Sequence, residues 1–159
     1  SRAPEKLIYR FINRQLVFAY DDRQRLTLNS CNVVIPHIPG LDMRYIMAIL
    51  NSRVAQYIYE KRYNAVKVLR SHIENIPVPV ADEETQRRII SKAEELMAEE
   101  LITESSVNSE MQTYKTGKDH LQRYRLYEEI DDIVRKLYSV TDEEYEFIKQ
   151  SLSGDKYML

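Results

Sequence analysis

The feature that most constrains the fold is the stretch 48–80, where an amphipathic helix leads into a basic segment and then a proline-containing strand. Apolar residues recur there at three- and four-residue spacing, which predicts one buried helix face. The residues of this stripe are Met43, Ile46, Met47, Leu50, Val54, Tyr57 and Ile58. The other face and the exit carry cations, aromatics and an amide, which suit a polyanion better than a small molecule. For the charge run alone, a solvated helix face is the alternative.

The segments around this helix predict an α+β fold: a small mixed β-sheet with a packed helix, followed by C-terminal helices. Asp42 is expected to cap the helix, and Asn51-Ser52 to interrupt it. Thr141 and Glu144 have the spacing of a capping box that opens a short helix through Leu152. Runs of branched and aromatic residues predict strands at 6–12, 16–20, 26–28, 32–35, 66–69 and 76–80. Helical periodicity predicts helices at 82–101 and 121–138.

This pattern divides the chain into four parts. An α/β module occupies residues 1–81, and a connecting helix follows at 82–102. Residues 103–118 lack periodicity and are predicted to be a loop or linker, and residues 119–159 an acidic C-terminal helical hairpin.

Charge is distributed unevenly between the two halves of the chain. Residues 1–80 hold 12 Lys and Arg against 6 Asp and Glu, a net charge of +6, whereas residues 81–159 hold 11 against 19, a net charge of -8. The front half is therefore the candidate to meet a nucleic acid. On this basis we expect truncation after about residue 115 to leave nucleic-acid binding intact or stronger.

Several classes of site are excluded by composition and motifs. Cys31 is the single cysteine, so no internal disulfide can form, and its presence fits a reducing cytoplasm. The three histidines are isolated, and glycine-rich phosphate cradles and nucleophile motifs are absent, so no catalytic, cofactor or metal site is predicted. No apolar run reaches the about 18 residues that a membrane span needs.

An ordered set of short segments carries a family resemblance. These are KLIYR (6–10), LVFAYDD (16–22), LNS (28–30), ILNS (49–52) and IPVP (76–79). Together they resemble the TaqI-like C-terminal specificity domain of type II restriction–modification enzymes that are also adenine-N6 DNA methyltransferases. Residues 76–89 are similar to the target-recognition-domain boundary of type I specificity subunits, and residues 129–152 resemble the helical end of the restriction enzymes.

The resemblance implies DNA target recognition: residues 1–81 would hold duplex DNA and read base edges, while a catalytic domain flips and methylates an adenine. The family's catalytic Asn-Pro-Pro-aromatic motif and its S-adenosylmethionine motif are absent from this sequence, as is a nuclease arrangement. The resemblance therefore implies a non-catalytic specificity part, cytoplasmic, whose partner is a methyltransferase domain in cis or in trans. S-adenosylmethionine would be bound by that domain.

Base readout needs planar bidentate groups, Arg for guanine and Asn or Gln for adenine, while Lys and Arg meet phosphates. Such groups concentrate in two segments of the front half, with Arg10 on the first strand as a further candidate. The predicted DNA-binding residues are Arg10, Arg14, Gln15, Arg23, Gln24, Arg25, Arg62, Tyr63, Asn64, Lys67 and Arg70. The alternative is a protein–protein interaction module using the acidic C-terminal helices. A transcriptional regulator is disfavoured because no helix-turn-helix pattern is visible.

Overall fold

The computed structural model describes residues 5–12, 15–21, 32–34, 38–63, 70–105 and 109–152. These residues form three strands and six helices, which confirms the predicted α+β class. The strands are β1 (Lys6–Ile12), β2 (Gln15–Asp21) and β3 (Asn32–Val34). The helices are α1 (Met43–Leu50), α2 (Arg53–Arg62), α3 (Arg70–Glu74), α4 (Glu83–Ser105), α5 (Ser109–Leu137) and α6 (Asp142–Ser151).

The described strands form one sheet in the order β2-β1-β3. Both pairings are antiparallel, with Leu7 opposite Tyr20 on one side and Val34 on the other. The prediction of a mixed sheet is therefore wrong for this part of the chain, because β1 and β2 are joined as a hairpin and β3 returns against the same central strand. The strands predicted at 26–28 and 66–69 lie outside the described residues.

Two side chains of the helical layer bind the backbone of β2 where another strand would otherwise pair. The Phe18 amide donates to Asn51 Oδ1 at 2.9 Å, and Asn51 Nδ2 donates to the Phe18 carbonyl at 2.9 Å. The Leu16 amide donates to Gln56 Oε1 at 3.1 Å. These bonds satisfy backbone groups of a sheet edge and fix the sheet against α1 and α2.

The amphipathic helix predicted from the apolar stripe is interrupted at Asn51-Ser52, as expected, and forms two helices, α1 and α2. Ser52 accepts a hydrogen bond from the Ala55 amide and so caps α2, while Asp42 accepts from the Arg44 amide and caps α1, as expected. The stripe continues across the break, since Ile46, Leu50 and Val54 are buried on both sides of it. Tyr57 and Ile58, predicted to be buried, are only half-buried.

Asp42 gives α1 a titratable cap. The Arg44 guanidinium donates to both carboxylate oxygens, and this holds the pKa of Asp42 below its ordinary value of 3.8. A depressed folded-state pKa contributes stability that is present above the unfolded-state value and is lost as the pH falls through the folded-state value. Asp42→Asn should therefore lower the free energy of unfolding at pH 7 by less than about 1 kcal/mol, because Asn caps well and a half-exposed ion pair contributes little.

The difference between Asp42→Asn and the parent should shrink as the pH falls below about 4, because the parent carboxylate then becomes protonated. Urea unfolding of both proteins at stepped pH values measures this. A difference that stays constant between pH 7 and pH 3 would contradict the role assigned to the carboxylate.

Residues 76–80 do not form the predicted strand, although the chain there is described. Pro77 and Pro79 have no amide hydrogen to donate to a ladder. Tyrosine hydroxyls bind the carbonyls instead: Tyr138 donates to the Pro77 oxygen and Tyr45 to the Pro79 oxygen, each at 2.5 Å. The Ala81 amide in turn donates to the Tyr45 hydroxyl at 3.2 Å.

The back of the chain is more helical than predicted. Helix α4 continues to Ser105 and α5 begins at Ser109, so the loop predicted at 103–118 is wrong for all of its described residues. Glu, Met, Gln and Lys favour helix even where no apolar stripe is present. The capping box at Thr141 and Glu144 is confirmed, and it opens α6.

The faces of α5 also differ from the prediction. The spacing of apolar residues predicts one buried face that includes Leu121, Tyr124, Ile130 and Val134. Ile130 and Val134 are buried as predicted, together with Leu126, but Leu121 is 66% exposed and Tyr124 is 38% exposed. No helix in the described part of the chain combines the length and apolar character that crossing a membrane requires.

One buried core joins the sheet to the C-terminal helices. It contains Leu7 and Phe18 from the sheet, Ile49 from α1, Ile89 from α4 and Val134 from α5. The division into four parts stays a prediction, but residues before and after position 82 share this core.

Candidate nucleic-acid interface

Half of the described Lys and Arg side chains of the front half are committed to internal ion pairs. Lys6 Nζ lies 3.6 Å from Asp21 Oδ2, and both side chains are buried. Arg44 pairs with Asp42 and with Glu94 of α4. Arg53, on α2, is also buried, and its acidic partners come from α5. Arg44 and Arg53 lie among the cations predicted for the polar face of the amphipathic helix. Because both are engaged in ion pairs, they are not part of a nucleic-acid surface.

A second group of cations remains at the surface, where α2 ends and α3 begins. Lys61, Arg62 and Arg70 are exposed there. Lys61 and Arg62 immediately precede Tyr63 in the sequence and Arg70 precedes His72, and the Tyr63 and His72 rings stack on each other. We call these five residues the basic aromatic patch.

The side chains of this patch are held loosely at their charged ends. Arg70 is 61% exposed, and its Nε lies 3.8 Å from Glu74 Oε1 in a pair one helical turn apart. Lys61 Nζ lies 5.5 Å from the centre of the Tyr57 ring. Arg62 Nη1 donates to the Asn75 carbonyl at 2.7 Å. Exposed pairs of this kind contribute little to stability, so these guanidinium and ammonium groups can exchange partners with a polyanion at low cost.

Aromatic rings form the floor of the patch. Tyr63 and His72 stack with ring centres 4.0 Å apart and planes 20° apart. The buried Tyr59 ring lies beneath both, 5.6 Å from Tyr63 and 6.4 Å from His72. Burial raises the pKa of Tyr59, and the neighbouring Tyr9 and Tyr63 hydroxyls raise it further, so the Tyr59 phenol stays neutral.

The patch is also close to the central strand of the sheet. Burial raises the pKa of Tyr9 on β1, and the positive charge of Arg70 acts in the opposite direction. Arg70, at the start of α3, is therefore within electrostatic range of Tyr9 on β1.

Three of the predicted DNA-binding residues are described with their side chains, and the structure brings them together in this patch: Arg62, Tyr63 and Arg70. Gln15 begins β2 opposite Ile12, and Arg10 lies opposite Val17 in the register of β1 and β2, but their side chains are outside the described part. Gln56 attaches the beginning of β2 to α2, the helix that leads to the patch. The other predicted residues lie outside the described residues: Arg14, Arg23, Gln24, Arg25, Asn64 and Lys67.

His72 and Lys61 belong to the patch but were not among the predicted site residues. His72 looked like an isolated histidine because its ring partner, Tyr63, is nine positions away in the sequence. The sequence next to His72 gives no local signal for this ring pair.

The patch combines exposed cations, which attract anions, with ring faces that suit stacking on planar groups. Among the described residues, no cluster of His, Cys, Asp or Glu could hold a metal ion. A cavity of about 150 Å³ lies elsewhere, between β2, α1, α4 and α5. Two of its polar lining residues are already engaged, Asn51 with the β2 backbone and Asp131 with Arg53.

Comparison with known protein families gives a match over the segment that contains the patch. Searches of curated proteins and of solved structures found no match. Residues 2–78 match the family model of the TaqI-like C-terminal specificity domain. This range contains the three strands, α1 to α3 and the whole basic aromatic patch. The resemblance inferred from the sequence is therefore confirmed: the front of this chain, residues 2–78, matches the TaqI-like C-terminal specificity domain.

Proposed function

We propose that this chain is the DNA target-recognition part of a restriction–modification enzyme. It binds duplex DNA through the basic aromatic patch and presents the site to an S-adenosylmethionine-dependent adenine-N6 methyltransferase domain, in cis or in trans. The observation that carries the proposal is that exposed cations at the end of α2 and the start of α3 adjoin, in the sequence, a stacked aromatic pair inside the family-matched segment.

Recognition would use two kinds of contact, one to phosphates and one to base edges. Lys61, Arg62 and Arg70 would contact phosphates, which sets the register on the duplex and makes affinity depend on salt. Asn64 and Lys67 follow Tyr63 in the sequence and would supply contacts to base edges. The turn residues Arg14 and Gln15 and the segment 23–25 would supply a second set of contacts.

The acidic helices α4 and α6 would lie away from the DNA. Glu83, Glu95 and Glu146 are exposed on α4 and α6, and phosphates would repel them. Helix α5 exposes Leu121, and α6 exposes Phe147, which is 59% exposed. These two apolar side chains favour the second candidate function, a protein-docking surface. The catalytic domain of the proposed enzyme could itself be that partner.

Arg70→Ala should weaken binding to every duplex sequence alike, because a phosphate contact carries no sequence information. It should also reduce the slope of log affinity against log salt by about 1. Fluorescence-anisotropy titrations of a mixed-sequence duplex at several salt concentrations measure both effects.

The matched control for Arg70→Ala is Arg88→Ala, which removes another exposed arginine, from α4 in the acidic half. Arg88→Ala should leave affinity and slope near those of the parent. If the two variants behave alike, the patch is not the DNA face.

Selection of DNA sequences from a random pool tests whether the proposed binding is sequence-specific. A duplex pool with a randomised centre is passed over the full chain, and the bound fraction is sequenced after several rounds. Enrichment of one sequence pattern supports target recognition. Binding that enriches no pattern would reduce the function to non-specific DNA contact, and the absence of binding at low salt would reject it.

A further inference from the structure

The cavity between β2, α1, α4 and α5 is a second candidate site. Its volume is about 150 Å³. An apolar cavity of about this volume inside a protein can hold a benzene-sized molecule. Its apolar walls are formed by Val17, Phe18, Met47, Ala48, Ala93, Leu96 and Ile130. The cavity therefore has the size and the lining that suit one small ring.

Polar groups on the buried side of this cavity are already bonded within the protein. The Ser52 and Tyr127 hydroxyls donate to backbone carbonyls at 2.6 and 3.0 Å. Asn51 binds the β2 backbone, and the Asp131 carboxylate accepts from Arg53. A ligand in this part of the cavity does not have to supply polar partners, which favours an apolar group there.

Helix α5 adds two basic side chains to the lining. Arg123 is half-buried and His120 is exposed, so this side of the cavity reaches solvent. Arginine is always charged at neutral pH, and its planar fork fits a carboxylate. Both side chains also have contacts within the protein, so an anionic ligand would share them.

The same lining favours an aromatic ring over an aliphatic chain. Phe18 and Tyr127 contribute aromatic rings, and Met47 contributes a thioether. Aromatic ligands gain from edge or face contacts with such rings and from contact with sulfur.

We propose that this cavity is a binding site for a small aromatic molecule with one anionic group, as in benzoate. The ring lies among the apolar walls, and the carboxylate faces Arg123. The site uses no residue of the basic aromatic patch, so the inference does not depend on the proposed function. Because β2 and α1 belong to the family-matched segment and α4 and α5 follow it, an occupant contacts both parts of the chain.

Methyl NMR of the full chain tests for the site with benzoate as the probe. The methyl groups of Met47, Ala48 and Ala93 report on the cavity, and Ala98, exposed on α4, is the internal control. Benzoate should shift the cavity methyls saturably, with a dissociation constant in the millimolar range or below for a ligand of this size. Acetate, which lacks the ring, should cause no saturable shift. The absence of a saturable shift with benzoate, or equal shifts at Ala98, would overturn the proposal.

Arg123→Gln tests the anionic part of the ligand class. It should weaken benzoate binding about tenfold, as expected for the loss of a charge-assisted hydrogen bond, and leave the binding of benzene parental. Arg125→Gln is the matched control, since Arg125 is exposed on the same helix and outside the lining, and it should bind benzoate like the parent. Equal benzoate affinity in Arg123→Gln and Arg125→Gln would show that Arg123 does not receive the carboxylate and would overturn the proposed ligand class.

Filling the cavity tests its location. Leu96 is half-buried in the lining, and Leu96→Trp should abolish the binding of both benzoate and benzene. Ala93→Val fills the cavity from α4 with a smaller side chain and serves if Leu96→Trp does not unfold cooperatively. Parental benzoate affinity in a folded filling variant would place the ligand elsewhere and overturn the assignment of this cavity.

Discussion

Arg53→Ala is expected to lower the free energy of unfolding by about 3–5 kcal/mol, because it leaves an acidic group buried without its charge partner. The Arg53 side chain is 5% exposed. Its Nη1 donates to Asp131 Oδ2 at 3.1 Å, and its Nη2 donates to Glu128 Oε1 at 2.6 Å. The Arg53 amide donates to the other oxygen of Asp131 at 3.0 Å.

Tyr145 of α6 completes this buried cluster. Its hydroxyl accepts from Arg53 Nη1 at 2.8 Å and donates to Asp131. Burial raises the pKa of Tyr145, and the neighbouring carboxylate raises it further, so the phenol keeps the proton that it donates. Removing Arg53 takes away the only cation in this chain of hydrogen bonds among the described residues.

Urea unfolding at neutral pH measures the effect of Arg53→Ala. The matched control is Lys136→Ala, which breaks an exposed pair with Asp132 in the same helix as Asp131 and should change stability by less than about 1 kcal/mol. Replacing Arg53 and Asp131 together by Met and Leu should recover much of the loss, since no unpaired charge is then buried. If Arg53→Ala lowers the free energy of unfolding only as much as Lys136→Ala does, the prediction is wrong, and water reaches the cluster.

The family-matched segment alone, expressed as residues 1–80, is expected to be unfolded. Helix α4 packs on α1, and Ile89 and Ala93 close the core over it. Without α4 and α5 this apolar face is exposed, and burial at roughly 25 cal/mol per Å² is lost over several large side chains. Arg53 also loses every acidic partner described for it. These losses exceed the marginal stability of a small domain.

Circular dichroism and amide NMR dispersion test this second prediction. Truncation after Leu152 is the control, since it removes no residue of the six helices, and it should unfold cooperatively like the full chain. A cooperative transition and dispersed amide signals from residues 1–80 would refute the prediction. The earlier expectation, that the chain can be cut after about residue 115 without loss of DNA binding, is replaced for the same reason. That cut removes Asp131 and Val134 from the core.

The charge asymmetry of the sequence has a different meaning once the fold is known. The acidic half neutralises part of the basic half: Glu94 pairs with Arg44, and Asp131 with Arg53. Among the described side chains, the cations that remain exposed in the front half form the smaller group around Lys61, Arg62 and Arg70. Summed charge could not separate structural cations from exposed ones.

The sequence by itself determined the features that depend on neighbouring residues. These include the strands β1 and β2, the caps at Asp42 and Thr141, the break at Ser52 and the order of the family segments. Each follows from local propensity, side-chain hydrogen bonds within a few residues, or a short apolar period.

Only the tertiary structure decided the features that depend on distant partners. Arg53 is a core residue because α5 and α6 fold over it, and 76–80 is not a strand because Tyr45 and Tyr138 bind its carbonyls. Tyr63 and His72 stack on each other although nine positions separate them in the sequence. In each case the deciding contact spans nine or more positions in the sequence, and its energy depends on burial, which periodicity alone does not specify.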